Sequence, residues 1–263
     1  MASRISITGG LAAAVRFLGP AWRGAWGAML LATLVIGMVL VLRLWSPMSA
    51  WRLQGLGLSA IVVLLVEGGL YRLALGRGVT GLAGLGWVRA DWRLGAVWGL
   101  AAVFLFVLAL LAFVVLLSFA FAVASSGRGF VVALPMTWGG AVDGRGRMVV
   151  EAVGALCLSG LVWAGTRVSL GSAATIDTDR VMMLSSWPDT RGRVVAIVLA
   201  RLCLGVASIG VAGAILVAIY SVPGPTTPLV WAGGLVAGAA IVGLWLPLNV
   251  GLMTYFYQSR PTS

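Results

Sequence analysis

Long apolar runs punctuated by arginines dominate this chain. Six of them, Gly24–Leu44, Gly55–Leu75, Leu94–Ala124, Val149–Thr166, Val194–Tyr220 and Pro228–Tyr257, are apolar enough to cross a hydrocarbon layer ~30 Å thick, which takes about 20 helical residues. Hydrocarbon gives backbone amides no partner, so such runs predict helices, and the alternation that a membrane β-barrel needs is absent. The third and sixth runs are longer than a crossing requires and are expected to tilt, kink or protrude. In the sixth, Pro247 has no N–H for the carbonyl one turn earlier, which predicts a kink near Gly243.

The fold class that follows is all-α, a polytopic transmembrane bundle of six spans over 24–257 with a short cytoplasmic interfacial helix. Residues 1–23 form an amphipathic lead-in, with Leu11, Val15 and Leu18 at helical spacing, and 258–263 a short tail. The opening apolar run is short and broken by Arg16, unlike that of a signal peptide. Val181, Leu184 and Trp187 share a helical face and predict the interfacial helix. Ser186 and Asp189, with Pro188 between them, have the spacing of a capping box opening the fifth span. The connection 125–148 reads as a surface loop whose apolar centre rests on the bilayer. Gly234 and Gly238 form a GxxxG pair, and Gly210, Ala214 and Ala218 repeat small residues at the same interval. Both read as close helix packing within one chain.

Composition removes the soluble alternative. Of 263 residues, 61% are hydrophobic and 10% charged, against roughly a quarter charged in soluble domains. The 18 basic residues are all arginine, against seven acids and no histidine. Assigning connections alternately to the two sides puts twelve arginines on one side (4, 16, 23, 72, 77, 89, 93, 167, 180, 191, 193 and 260) and five on the other (43, 52, 128, 145 and 147). The positive-inside rule then predicts a multi-pass protein of the bacterial cytoplasmic (inner) membrane with both termini in the cytoplasm. Ten of the twelve tryptophans lie near span ends, as an interfacial belt requires; Trp163 and Trp245 do not. The net charge of +11 is scattered over span ends rather than gathered in a basic domain. That suits the lipid bilayer and its anionic headgroups as partners and argues against nucleic acid.

Without histidine, the commonest general base and metal ligand is missing. Cys157 and Cys203 are too few for a thiolate zinc site and fall in apolar runs. Asp177, Asp179 and Asp189 share one connection without the ordered spacing of a calcium loop, and read as caps or solvated charges. No cofactor, no metal and no catalytic nucleophile–base pair are expected, so the chain reads as non-enzymatic.

The chemistry worth singling out is intramembrane. Glu67 is the one acid deep in a span, about eight residues or ~12 Å from its cytoplasmic end, and Arg201 enters the fifth span from the same face to ~10 Å. The two are placed to meet as a salt bridge between spans; Arg72 reaching back to Glu67 on the same helix is the alternative. Asn249, beyond the Pro247 kink, is the third intramembrane polar candidate. At the cytoplasmic face, Arg77, Arg89, Arg93, Arg180, Arg191 and Arg193 form the set expected to touch headgroups or a protein partner.

The stretch Thr166–Leu202 carries Arg167, a Ser169-Leu170 turn, Trp187 and a Thr190-Arg191-Gly192 entry to the next span. With GLYRLAL at Gly69–Leu75 and ADWRLGAVWGL at Ala90–Leu100, it resembles bacterial six-span integral membrane proteins similar to the membrane domain of some glycerophosphoryl diester phosphodiesterases. The resemblance implies a membrane module without catalytic residues of its own. Two functions are therefore expected: a non-enzymatic module that anchors or assists lipid or protein partners, or a small transporter or lipid-handling channel built on Glu67 and Arg201. Mirrored motifs between the halves, which an inverted repeat would bring to the second, are absent.

Overall fold

The computed structural model describes residues 6–45, 51–126, 144–221 and 227–259. Residues 127–143 of the 125–148 connection, and Arg4, Arg128 and Arg260 of the arginine tally, fall outside these residues; 125–126 and 144–148, read as loop, are helix ends instead.

Six helices among the described residues are long and apolar enough to cross a membrane, and together they make a multi-pass all-α bundle. The helices are α1 (Ile7–Trp45), α2 (Trp51–Ala74), α3 (Arg89–Ser126), α4 (Gly144–Val168), the short α5 (Gly171–Thr178), α6 (Val194–Tyr220), α7 (Thr227–Ala240) and α8 (Leu246–Gln258). A π-helical turn, Ile241–Trp245, joins α7 to α8, so the two form one crossing.

The lead-in and first span are one helix broken at Ala25, whose φ of −120° and ψ of 21° leave the helical range. The short turn Leu82–Gly84 presses on α1 at that break. Gly84 has a φ of +87°, and a β-carbon there would stand 3.0 Å from the Ala25 Cα, so glycine is required on both counts. Before the break, α1 lays Ala14 against Gly251 of α8, buries Ala21 and leaves Val15 exposed. The lead-in thus keeps an outward apolar position while docking its small residues inward.

The expected kink in the last crossing is present as the π turn centred on Gly243, one turn before Pro247. A π turn widens the helix by one residue, which accommodates a proline that can neither donate its N–H nor sit against the preceding carbonyl. Beyond it α8 is buried on nearly every side, from Leu246 through Thr254, and forms the centre of the bundle. Here the GxxxG pair works as expected. A β-carbon on Gly238 would lie 2.9 Å from the Thr33 carbonyl oxygen, and one on Gly234 would lie 3.0 Å from that of Gly37, so α1 and α7 cross at backbone contact within one chain. The second series does not pack this way. Gly210 has open space around it, and Ala214 and Ala218 face outward, because α6 turns Ala212 rather than that stripe toward α7.

The short helix lies earlier than the Val181–Leu184–Trp187 face implied. It is α5, with every residue from Gly171 to Ile176 buried, so it packs inside the bundle rather than on an interface. Val181 is exposed in irregular chain and Leu184 is exposed at the start of a 3-10 turn, and Trp187 lies against Phe104, Trp163 and Arg167. The capping box does not form either. Ser186 Oγ donates to the Met183 carbonyl, and two 3-10 turns, Leu184–Ser186 and Pro188–Thr190, separate it from α6, which starts only at Val194. In contrast to α8, α3 and α4 leave most of their apolar length unburied, including Phe106, Phe121 and Leu156.

Candidate functional site

Glu67, Arg201 and Asn249, singled out from the sequence on three separate spans, line one cavity of about 1060 Å³. Small-ligand pockets run to roughly 300–1,000 Å³, so this one can take a molecule of lipid size in part. Four elements supply polar residues: Glu67 and Tyr71 come from α2, Ser172 from α5, Arg201 from α6 and Asn249 from α8. Glu67 and Tyr71 are four residues apart and therefore share a helix face. Asn249 follows the π turn, which sets the direction of α8 and brings Trp245 into the same wall.

The expected Glu67–Arg201 salt bridge does not form: among the described residues no cation stands within 4.0 Å of Glu67. Arg201 instead donates from Nε to Asn249 Oδ1 at 3.0 Å, which draws its guanidinium toward α8. Tyr71 and Ser172 line the same cavity as Glu67. Glu67 is buried and Arg201 half-buried. A carboxyl and a guanidinium thus face one cavity without a salt bridge between them.

Arg72 does not reach back to Glu67. It pairs with Asp91 at the start of α3, and both side chains are buried. Asp91 Oδ2 also accepts from the Val88 N–H at 2.8 Å, so the acid holds the entry to α3 and neutralises Arg72 at once.

Most of the remaining wall is apolar, and it is open on one side. Val162 of α4 with Leu202 and Val206 of α6 are 46%, 57% and 74% exposed, and they form the rim. In a bilayer this rim faces acyl chains rather than water. Along α6 the cavity runs from Val198 to Gly210, roughly 18 Å of helix rise. Glu67, Tyr71, Arg201 and Asn249 form its polar part, and the exposed rim residue Leu202 follows Arg201 directly in the chain.

At the arginine-rich end the six surface candidates divide. Arg77 donates to the Ile176 carbonyl at 2.8 Å and pairs with Asp177, which also accepts from the Tyr257 hydroxyl at 2.7 Å. Arg93 pairs with Asp179. Arg193 donates to the Phe256 and Ser259 carbonyls at 3.3 and 3.1 Å, closing the end of α8. These three cross-brace the connections. Arg89, Arg180 and Arg191 are exposed and take no hydrogen-bond or ion-pair partner among the described residues. Asp177 and Asp179 serve as arginine partners, and no cluster of three metal-ligating residues occurs among the described residues. Cys157 and Cys203 are free thiols.

Arg167, Trp187 and Thr190, which carry the sequence resemblance, pack together: Arg167 donates to the Trp187 carbonyl at 3.0 Å and to Thr190 Oγ1 at 3.3 Å, and lies over the rings of Trp163 and Trp187. The sequence reading missed Tyr71, Ser172 and the cavity-lining Trp98 and Trp245. Tyr71 was findable as the i+4 neighbour of Glu67, and Trp245 as one of two tryptophans away from span ends; nothing in the sequence marks Ser172. No family model, curated protein or solved structure matches the chain.

Proposed function

We propose that this is a non-enzymatic protein of the bacterial cytoplasmic membrane, both termini in the cytoplasm, that binds and handles a membrane lipid through its laterally open cavity. The observation that carries this reading is the cavity's division into a polar part holding Glu67, Tyr71, Arg201 and Asn249 and an apolar part whose rim, Leu202 and Val206, faces the bilayer. A lipid fits that division: its head needs polar partners, and its chains need only an opening. The six-span resemblance to the phosphodiesterase-linked membrane domain supports the same picture of a membrane module without catalytic residues.

The test uses rim bulk. Gly210 lines the cavity and a β-carbon there meets nothing within 4 Å, so Gly210→Phe adds bulk at the cavity wall. Purified wild type is expected to retain lipid through detergent exchange, and Gly210→Phe to retain markedly less. Equal retention by both, or none by wild type, argues against the reading.

A second reading rests on Arg89, Arg180 and Arg191, whose unpartnered guanidinium groups suit anionic headgroups or an acidic partner protein at the cytoplasmic face. Their joint replacement by Gln is expected to weaken association with anionic vesicles. Unchanged association removes this reading while leaving the cavity untouched.

A further inference from the structure

We infer that the cavity recognises a zwitterionic phospholipid headgroup with a primary amine, of phosphoethanolamine type, its phosphate on Arg201 and its ammonium on Glu67. This deepens the lipid-binding reading above and depends on it.

The first argument is the state of Arg201. Only its Nε has a protein acceptor, Asn249 Oδ1; the two terminal nitrogens take none among the described residues, and the side chain lines the cavity. Asn249 thereby fixes the guanidinium plane and leaves its fork free, the arrangement that grips two phosphate oxygens at once.

The second is Glu67. It lines the same cavity with no cation within 4.0 Å among the described residues. In a medium of low dielectric, a guanidinium and a carboxyl held apart each call for a partner of complementary polarity. A purely anionic head satisfies Arg201 and is repelled by Glu67; a cation meets the reverse. A zwitterion satisfies both. Glu67, Tyr71 and Ser172 line the same cavity, and their oxygens can receive the three N–H donors of an ammonium, whereas a quaternary choline has none to give.

The third is the wall. Trp98, Leu105 and Val206 make an apolar surface on the way to the rim. Acyl chains gain little on leaving bilayer for such a wall, because lipid tails are as apolar as the side chains. Discrimination between lipids therefore rests with the head.

The full-length protein in detergent is offered an equimolar mixture of phosphatidylethanolamine, phosphatidylglycerol and phosphatidylcholine with identical chains, and bound lipid is read by native mass spectrometry. Wild type is expected to retain phosphatidylethanolamine over each rival by roughly tenfold or more, equivalent to about 1.4 kcal/mol. Glu67→Gln is expected to erase the preference over phosphatidylglycerol while lipid is still held, and Arg201→Gln to reduce retention of all three. A preference for phosphatidylglycerol or phosphatidylcholine, equal retention of the three, or an unchanged preference in Glu67→Gln overturns the headgroup assignment while lipid binding stands. No retained lipid at all overturns both. The wild-type preference decides even where a variant fails to fold.

Discussion

The indole N–H of Trp22 donates to the carbonyl of Gly243 at 3.0 Å, joining the lead-in half of α1 to the π turn of the last crossing. Pro247 explains why that oxygen is free: an ordinary residue there would have offered it an N–H one turn on. In a membrane an unpaired carbonyl is costly, so the indole stands in for the missing amide. Trp22→Phe is expected to lower stability in detergent by about 1–3 kcal/mol, the cost of an unsatisfied buried group. In a Pro247→Ala background, where the amide is restored, the same change is expected to cost less. Equal losses in both backgrounds contradict the account.

The small-residue pairs make opposite predictions. A β-carbon on Gly238 meets backbone, 2.9 Å from the Thr33 oxygen and 3.0 Å from the Gly37 nitrogen, and neither can turn aside as a side chain could. Gly238→Ala is expected to destabilise the α1–α7 crossing by about 1–3 kcal/mol, whereas Gly210→Ala is expected to leave the melting temperature unchanged. Thermal unfolding of the two variants side by side checks this.

Arg72 and Asp91 form a buried pair, and removing one partner strands the other charge. Asp91→Leu alone is expected to cost about 3–5 kcal/mol, and Arg72→Leu with Asp91→Leu distinctly less, since two apolar groups leave no orphan ion. A double variant as unstable as the single one contradicts this assignment.

Asp179 supplies the pH dependence. The hydrogen bond from Arg93 holds its carboxyl below the usual carboxylate range, helped by the charges of Arg93, Arg89 and Arg77. A depressed carboxylate contributes stability that is complete above its unfolded value, about 3.9, and is lost as pH falls through the lower folded value. The gap in stability between wild type and Asp179→Asn is therefore expected to be present at pH 6 and to close in acid. The pair is exposed, so the gap is small. A gap that widens on acidification contradicts the assignment.

Hydrophobic run length and proline chemistry made the six helices and the Gly243 break legible, because lipid leaves the backbone few alternatives. Glu67, Arg201 and Asn249 were also legible, since polar residues are rare in such runs, and helical rise put the first two at similar depth. Rise fixes depth and not azimuth, and that is why the Glu67–Arg201 contact was expected and Asn249 takes Arg201 instead. Burial of α5 was hidden for a related reason: Gly171–Thr178 is short and has little apolar contrast between its faces, so only tertiary packing reveals it. The arginine braces at Asp177 and Asp179 bring together residues 100 and 86 positions apart, beyond any local signal.

The central claim is that a bilayer lipid enters the cavity and is held there by Arg201. A photoreactive side chain at position 98, inside the cavity, reports this most directly when compared with one at position 100, on the exposed outer face of α3. In native membranes both positions are expected to yield lipid adducts, and only the adduct at 98 is expected to fall in Arg201→Gln. No lipid adduct at 98, or one that Arg201→Gln leaves unchanged, contradicts the account.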